Sequence, residues 1–325
     1  MTSVQKEIWT EQMIYANTPI YNIGGFIKID ANIDVEILKQ ATMEIVRQTD
    51  ALRISFVEME GVPFQVSPEV KNEPLKYLDL SQDSTVMQKV YSYMSDEMRR
   101  PFRLLEEPLY RFCLYKVAHN SYLLLAVLHH LAGDGWAFSL MAQQAATQYN
   151  ILTGKRNGLC RGGAYLSFIE NDEAYVKSPV YLKNRHYWKT VFNTLPEQLL
   201  YPKNCKTKQS ETVEGGVHTW FIPQAQYALL GKLAQKNSVS VFHVFLGLLY
   251  VYFCRIADRD ECVIGIPVLN RSLAKFKQTI GLFASMIPAR FRCGRDISFV
   301  ELMQYIARFL SESYRHQQLV IQILQ

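Results

Sequence analysis

The sequence predicts an α/β protein built as two lobes. The chain has 325 residues, and a domain commonly holds about 150, which argues for two domains or lobes. Helical and strand periodicities alternate in both halves of the chain. Hydrophobic residues make up 49% and charged residues 20%. This average composition excludes a disordered chain, a collagen-like repeat and a small disulfide scaffold.

In the first half, residues 20–30 are rich in β-branched and aromatic side chains and predict a strand. Asp34 is a suitable N-cap for the helix that the apolar spacing predicts next. Two apolar runs around a short polar turn, residues 118–121, predict a hairpin whose second strand is central and covered on both faces. The predicted strands are 20–30, 51–56, 108–117 and 122–128, and the predicted helices are 35–49, 85–98 and 136–149.

The second half begins in a less regular stretch, residues 150–177, where we place the lobe boundary. The predicted lobes are residues 1–160 and 161–325. The same periodicities predict strands at 217–222, 262–267 and 283–291 and helices at 224–236, 239–256 and 299–314. The helix at 239–256 is expected to be buried, because its residues are almost all apolar. The apolar run 319–324 is expected to be a buried strand.

The charge and cysteine patterns limit the partners of the chain. The formal charge of +5 is mild, and no basic run indicates nucleic-acid binding. Six cysteines occur without a CxxC pair, which disfavours zinc and thioredoxin-like sites. Several cysteines lie in apolar stretches and are expected to be buried free thiols in a reducing cytoplasm. No signal-peptide core is present, and residues 241–254 are too short an apolar run to span a membrane.

The segment most informative about chemistry is the run HHLAGDG, residues 129–135. His129 and His130 end an apolar strand, so their side chains are expected on opposite faces, with only one facing a crevice. Histidine suits proton transfer near neutral pH. Gly133 and Gly135 would allow a sharp turn and the close approach of a backbone N–H to a reacting carbonyl.

Two other interpretations of this segment are weaker. A metal site would have two adjacent histidines and Asp134, without the spacing of the helical zinc motif. A plain strand-to-helix loop with two satisfied histidines would be the default for an isolated pair of histidines. Further blocks along the chain argue against this default.

The run resembles the HHxxxDG motif of condensation domains of nonribosomal peptide synthetases, which belong to the chloramphenicol-acetyltransferase-like acyltransferases. Other family blocks are similar in order along the whole chain, with departures such as Ser285 where asparagine is usual. These blocks are Ser3-Val4-Gln5 with Ile8-Trp9, Ala51-Leu52-Arg53 with Phe56, Tyr165-Leu166-Ser167-Phe168 with Tyr187-Trp188, Ile264 to Arg271, Ile280-Gly281-Leu282-Phe283 with Pro288-Ala289-Arg290, and Arg315-His316-Gln317.

The resemblance implies two chloramphenicol-acetyltransferase-like lobes in a V, with the histidine loop near the middle of a central tunnel. His130 would position or deprotonate the attacking amine, and the Gly135 N–H would stabilise the oxyanion. Asp134 would be structural and paired with Arg271 across the lobes, and His129 would be structural too. Trp136 is expected either to line the tunnel or to be a core aromatic.

The implied reaction is amide formation between a donor acyl thioester and an acceptor aminoacyl thioester. Both substrates would arrive on phosphopantetheine arms of donor and acceptor peptidyl carrier proteins. No tightly bound cofactor, metal, nucleic acid or membrane is expected, and the parent chain is expected to hold an adjacent adenylation domain.

Three alternatives stay open on the sequence. One is a starter-type acyltransferase with a fatty acyl donor, another is the related epimerase, and the third is a non-catalytic module that binds carrier proteins. Family domains continue beyond the block where this chain stops, so the chain is either a fragment or a natural remnant. The 325-residue chain alone is therefore expected to be unstable or inactive.

Overall fold

The computed structural model describes residues 1–60, 62–67, 74–158, 163–197, 216–294 and 296–319. The chain divides into two compact units, Met1–Val176 with Arg271–Ala284, and Lys177–Asn270 with Ser285–Gln325. The segment Arg271–Ala284 belongs with the first unit because Phe276, Leu282 and Phe283 are buried in its core. The predicted lobe limits, 1–160 and 161–325, stay a prediction. They do not place residues 271–284 with the first lobe.

The first unit combines one larger sheet, a short hairpin and six helices among its described residues. Its elements are α1 (Ser3–Ile14), β1 (Asn22–Asp30), α2 (Val35–Gln48), α3 (Asp50–Arg53), β2 (Ser55–Met59), β3 (Val62–Val66), β4 (Lys76–Asp79), α4 (Val86–Arg99), β5 (Tyr110–Ala118), β6 (Ser121–His129), α5 (Gly135–Leu152) and α6 (Leu166–Val176). Asp34 caps α2 as predicted, since its carboxylate accepts from two backbone N–H groups of the first turn.

The larger sheet has the order β1-β6-β5-β4. Strands β5 and β6 form the predicted antiparallel hairpin, β1 pairs antiparallel with β6, and β4 pairs parallel with β5. Strand β6 is therefore central, as its continuous apolar run predicts. Its last residue, His129, lies opposite Asn22 at the start of β1.

Alternate residues of β6 face two separate hydrophobic clusters. Leu123, Leu125 and Val127 belong to the cluster that also holds residues of α1 and α4. Leu128 belongs to the cluster that holds residues of α2 and α5. Because strand side chains alternate, two consecutive residues of β6 face different hydrophobic clusters.

Two predicted strands are wrong in whole or in part. Residues 51–53 lie in the short helix α3, since the Asp50 carboxylate accepts the Ala51 N–H and also the N–H groups of Tyr165 and Leu166. The strand β2 begins only at Ser55. Residues 217–222 form no strand, and their side chains are exposed, so the apolar pattern there has no described partner strand to pair with.

The second unit packs helices on a two-stranded antiparallel sheet. Its elements are α7 (Pro179–Val191), α8 (Gln224–Lys236), α9 (Val241–Ala257), β7 (Glu261–Val268), β8 (Ser285–Arg292) and α10 (Phe299–Ser313). Helix α9 buries Val244, Leu246 and Tyr250 but exposes Leu248, Leu249 and Tyr252. The prediction of a buried helix is therefore confirmed for one side of α9 only. Within the described ranges no single helix is long and apolar enough to cross a membrane, and α8 with α9 meets that test only as a pair bent by 97°.

The cysteines that the structure describes are free thiols. Cys113, Cys254 and Cys262 are buried and Cys293 is partly buried, which confirms the expectation of buried thiols for these positions. Cys160, Cys205 and residues 320–324 of the predicted C-terminal strand lie outside the described residues.

Candidate active site

The HHLAGDG segment lies in the first unit, where β6 ends and α5 begins. The main chain there is held by its neighbours: the His130 N–H donates to the Tyr21 carbonyl at 2.9 Å, and the His129 N–H donates to the Leu109 carbonyl at 3.0 Å. His129 is the last residue of β6, and His130 is the first residue of the turn that follows. Their side chains have different environments.

The His129 side chain is fully buried, and both of its ring nitrogens have partners. Nε2 lies 3.1 Å from Oε1 of Gln12 on α1, and Nδ1 accepts the Leu131 N–H at 3.2 Å. Burial is the main reason that the pKa of His129 falls to about 3, and His130 and Arg111 lower it further. A neutral ring with both nitrogens bonded has no capacity left for proton transfer, which supports the predicted structural role.

His130 is less buried, and its ring is not tied by hydrogen bonds in the same way. Its Nδ1 is buried and has no hydrogen-bond partner among the described residues. Burial lowers the pKa of His130, while backbone carbonyl groups and the Asp134 carboxylate favour the protonated form and oppose this shift. The imidazole is therefore neutral near pH 7 and able to accept a proton.

The Asp134 carboxylate joins three segments of the first unit. It caps α5 by accepting the Ala137 N–H at 3.0 Å. It also accepts the N–H groups of Phe283 and Ala284 at 3.0 and 3.1 Å, and both of its oxygens lie 3.2 Å from an Arg271 amino group. Asp134 is only 1% exposed, so all of these contacts are buried. The residue therefore lies at a structural junction.

Arg271 completes that junction from the returning segment. Its guanidinium donates to carbonyl groups of Phe276 and Thr279 at 2.8 and 2.5 Å, and it lies 3.9 Å from the centre of the Phe283 ring. Burial lowers the pKa of Arg271, and the Asp134 carboxylate opposes this by stabilising its charge. The predicted ion pair is confirmed, and both of its partners belong to the first compact unit.

The space available for a side chain differs between the glycines of this region. A Cβ at Gly133 would lie 2.8 Å from a leucine methyl, whereas a Cβ at Gly135 would have nothing within 4 Å. Gly281 in the returning segment has φ +153°, and a Cβ there would lie 2.2 Å from the Tyr165 ring. Neither Gly133 nor Gly135 has a positive φ, so close packing explains Gly133, and open space lies in front of Gly135.

Helix α1 supports the histidine loop in a way that sequence reasoning missed. Gln5 donates to the Leu131 carbonyl at 2.9 Å, and Gln12, two turns later, contacts His129. Thr2 and Gln5 also form a capping box that starts the helix. The pattern Thr-x-x-Gln was a readable signal for this helix start, although no local pattern indicated the contacts with the distant loop.

Trp136 opens α5 with 42% of its surface exposed, so it is not a core aromatic. Its indole N–H donates to the Lys277 carbonyl at 3.2 Å and thereby attaches the returning segment to α5. Across the described part of the chain, no group of three or more His, Cys, Asp or Glu side chains is placed to hold a metal ion.

An apolar cavity of about 270 Å³ lies in the first unit between the sheet and helices α2 and α5. Leu124 and Ala126 of β6 line its floor, and Phe138 and Ala142 of α5 line its wall. Thr42 and Ile45 of α2 complete this part of the lining, so the cavity lies on the face of the sheet that packs against α2 and α5.

Comparison with known proteins identifies the family. The family model described as "Condensation domain" matches residues 1–325. Two curated relatives from Bacillus subtilis (strain 168) are surfactin synthase subunit 1, 26% identical over 322 residues, and a dimodular nonribosomal peptide synthase, 25% identical over 328 residues. Both alignments cover 98% of this chain but only 9% and 14% of those relatives.

Solved structures show the same fold at low sequence identity. The first condensation domain of the calcium-dependent antibiotic synthetase, in complex with a substrate analogue, has a TM-score of 0.86 at 22% identity and covers 98% of this chain and 74% of that chain. A variant of the starter condensation domain of rhizomide synthetase, in complex with C8-CoA, has a TM-score of 0.84 at 22% identity and covers 100% and 73%. The predicted chloramphenicol-acetyltransferase-like fold is confirmed, and the chain belongs to the condensation domain family.

Proposed function

We propose that the chain catalyses amide formation between a donor acyl or aminoacyl thioester and an acceptor aminoacyl thioester in nonribosomal peptide synthesis. The observation that carries this proposal is the contrast between the two histidines at the end of β6. His129 has both ring nitrogens bonded, whereas His130 is neutral and its Nδ1 has no partner among the described residues. A rigid loop that presents one uncommitted imidazole suits a proton-transfer site.

In the proposed reaction the acceptor amine attacks the donor thioester carbonyl. The C–N bond forms, the C–S bond breaks, and the donor carrier leaves as the free thiol of its phosphopantetheine arm. His130 takes the proton that the amine loses and returns one to the departing sulfur. An α-ammonium group has a pKa of about 8, so some free amine is present at neutral pH, and positioning contributes as much as basicity.

Gly135 is proposed to stabilise the oxyanion with its backbone N–H. It is the first residue of α5, and the first N–H groups of a helix have no acceptor within that helix. The helix dipole also favours negative charge at this end. The open space where a side chain would project leaves room for a reacting carbonyl.

The test is a substrate panel with the full chain and a His130→Ala variant. Acyl donors on coenzyme A or on loaded carrier proteins are combined with aminoacyl N-acetylcysteamine thioesters, and amide products are quantified by mass spectrometry. We expect His130→Ala to reduce product formation at least about 100-fold, the scale of a lost acid–base group. Near-normal turnover of the variant would contradict the assignment of His130, and a parent protein of natural length that forms amide with no pair would contradict the function.

The apolar cavity favours a second candidate, a starter-type acyltransferase with a fatty acyl donor. The cavity has an almost wholly apolar lining and lies between the sheet and helices α2 and α5. The rhizomide starter domain, solved with C8-CoA, is one of the similar folds.

Two alanines of α5 separate this candidate from the first. Ala142 lines the cavity, whereas Ala146, one turn later, is exposed. Ala142→Leu should reduce the kcat/KM ratio of octanoyl-CoA over acetyl-CoA at least about tenfold, since pocket methylenes each change discrimination by roughly 10-fold or more. Ala146→Leu should leave the ratio unchanged, and an unchanged ratio in both variants would rule out the cavity as the acyl site.

A further inference from the structure

His130 is held by contacts of a different kind from those that hold His129. No hydrogen bond reaches its Nδ1 among the described residues. A side chain that must present one nitrogen to a substrate needs a fixed ring orientation, because small misplacements of a catalytic group are costly. Backbone carbonyl groups of His130 and Gly133 lie near the ring, and packing against a neighbouring side chain adds to its orientation.

Tyr21 is the neighbour that contacts His130 through both main chain and side chain. Its carbonyl accepts the His130 N–H at 2.9 Å. Its ring lies edge-on to the His130 ring, with the centroids 6.4 Å apart and the planes at 79°. Edge-to-face aromatic pairs of this geometry are attractive and directional. Tyr21 thus limits both the position of the histidine backbone and the rotation of its ring.

Tyr21 is itself fixed by Glu11 of α1. Its hydroxyl donates to the Glu11 carboxylate at 2.5 Å, the short distance typical of a charge-assisted O–H···O⁻ bond. Burial, followed by this hydrogen bond, raises the pKa of Tyr21 above its ordinary value. The phenol therefore stays a donor across the neutral range, and the bond to Glu11 does not titrate away there.

We propose that Tyr21, anchored by Glu11, is a positioning residue that orients the His130 imidazole for proton transfer. The inference rests on the proposed amide-forming function and deepens it by adding two residues outside the HHLAGDG segment, Glu11 of α1 and Tyr21, the residue before β1. Tyr21 acts through His130 and is not assigned a contact with substrate.

The experiment compares Tyr21→Ala, Tyr21→Phe and Glu11→Gln with a control, Tyr227→Phe, which changes an exposed tyrosine of the second unit. We expect kcat for amide formation to fall about 100-fold in Tyr21→Ala and about tenfold in the two conservative variants, with KM within about threefold, because misorientation affects the chemical step. The two conservative variants keep the aromatic ring, so they test the idea even if Tyr21→Ala folds poorly.

A second readout is independent of turnover. Diethyl pyrocarbonate modifies neutral imidazoles, and peptide mapping reports each histidine separately. Tyr21→Ala should raise the modification rate of His130 at least about threefold and move its midpoint upward toward the ordinary value of about 6.5, because burial chiefly depresses it. Asp134 and His129, the other titratable groups around the ring, keep their identity, and His316, buried in the second unit, serves as the internal standard.

The two readouts separate the positioning role from the reaction. If the wild type forms no amide with the panel but Tyr21→Ala alters His130 modification, the positioning role holds and the proposed function fails. If the wild type is active and Tyr21→Ala keeps normal kcat and normal His130 modification, the positioning role is overturned while the function stands. A change in KM alone with unchanged kcat would also overturn it.

Discussion

The junction at Asp134 gives the most direct quantitative prediction. Replacing Asp134 by alanine removes a buried carboxylate and leaves Arg271 charged at 8% exposure. Breaking a buried ion pair by removing one partner costs about 3–5 kcal/mol. Loss of the α5 N-cap adds about 1 kcal/mol, so the free energy of unfolding should fall by roughly 4–6 kcal/mol.

This loss is large against the total stability of a folded domain, about 5–15 kcal/mol. Asp134→Ala should therefore unfold at a much lower urea concentration than the wild type, and activity should fall with it. Equilibrium urea unfolding followed by far-UV circular dichroism measures the first effect, and the amide assay measures the second. Asp30→Ala is the matched control, since Asp30 pairs with Lys28 at the surface and such pairs contribute about 0–1 kcal/mol.

A double-mutant cycle isolates the ion pair from the cap. In an Arg271→Met background the loss of Asp134 no longer strands a buried cation, so Asp134→Ala should cost about 0.5–3 kcal/mol less than it does alone. An Asp134→Ala protein within about 1 kcal/mol of the wild type, soluble but inactive, would refute this reasoning. It would indicate that Asp134 takes a direct part in the chemistry.

The remaining predictions concern neighbouring residues. Burial lowers the pKa of His129 to about 3. The free energy of unfolding that depends on its neutral form is therefore fully present above about pH 6.5 and falls by roughly 1.4 kcal/mol per pH unit below that. In urea unfolding between pH 7 and 5, the free energy of unfolding should decline less steeply in His129→Gln than in the wild type, and equal slopes would contradict this. Gly133→Ala should lower the free energy of unfolding by about 1–3 kcal/mol through overpacking. Gly135→Ala should keep the wild-type unfolding midpoint but lose activity. Equal unfolding midpoints for the two variants would contradict the packing argument. Gly281→Ala should lower the melting temperature by several degrees, because its φ of +153° and the Tyr165 ring both exclude a side chain; a melting temperature unchanged in calorimetry would show that the loop relaxes.

Several features of the site could be predicted from sequence because they depend on neighbours along the chain. The β5–β6 hairpin and the capping of α2 by Asp34 follow from alternation, turn length and side-chain chemistry within a few residues. The family resemblance added the pairing of Asp134 with Arg271, which no local pattern contains.

Tertiary structure decided what depends on distant segments. The partner of His129 is Gln12, 117 positions away, and the ion pair joins residues 137 positions apart within the same compact unit. The apolar pattern at 217–222 lies in no strand, because a strand requires a paired neighbour and periodicity alone does not supply one. Local patterns report short-range hydrogen bonding and burial, whereas the contacts that orient a catalytic side chain depend on which segments the folded core brings together.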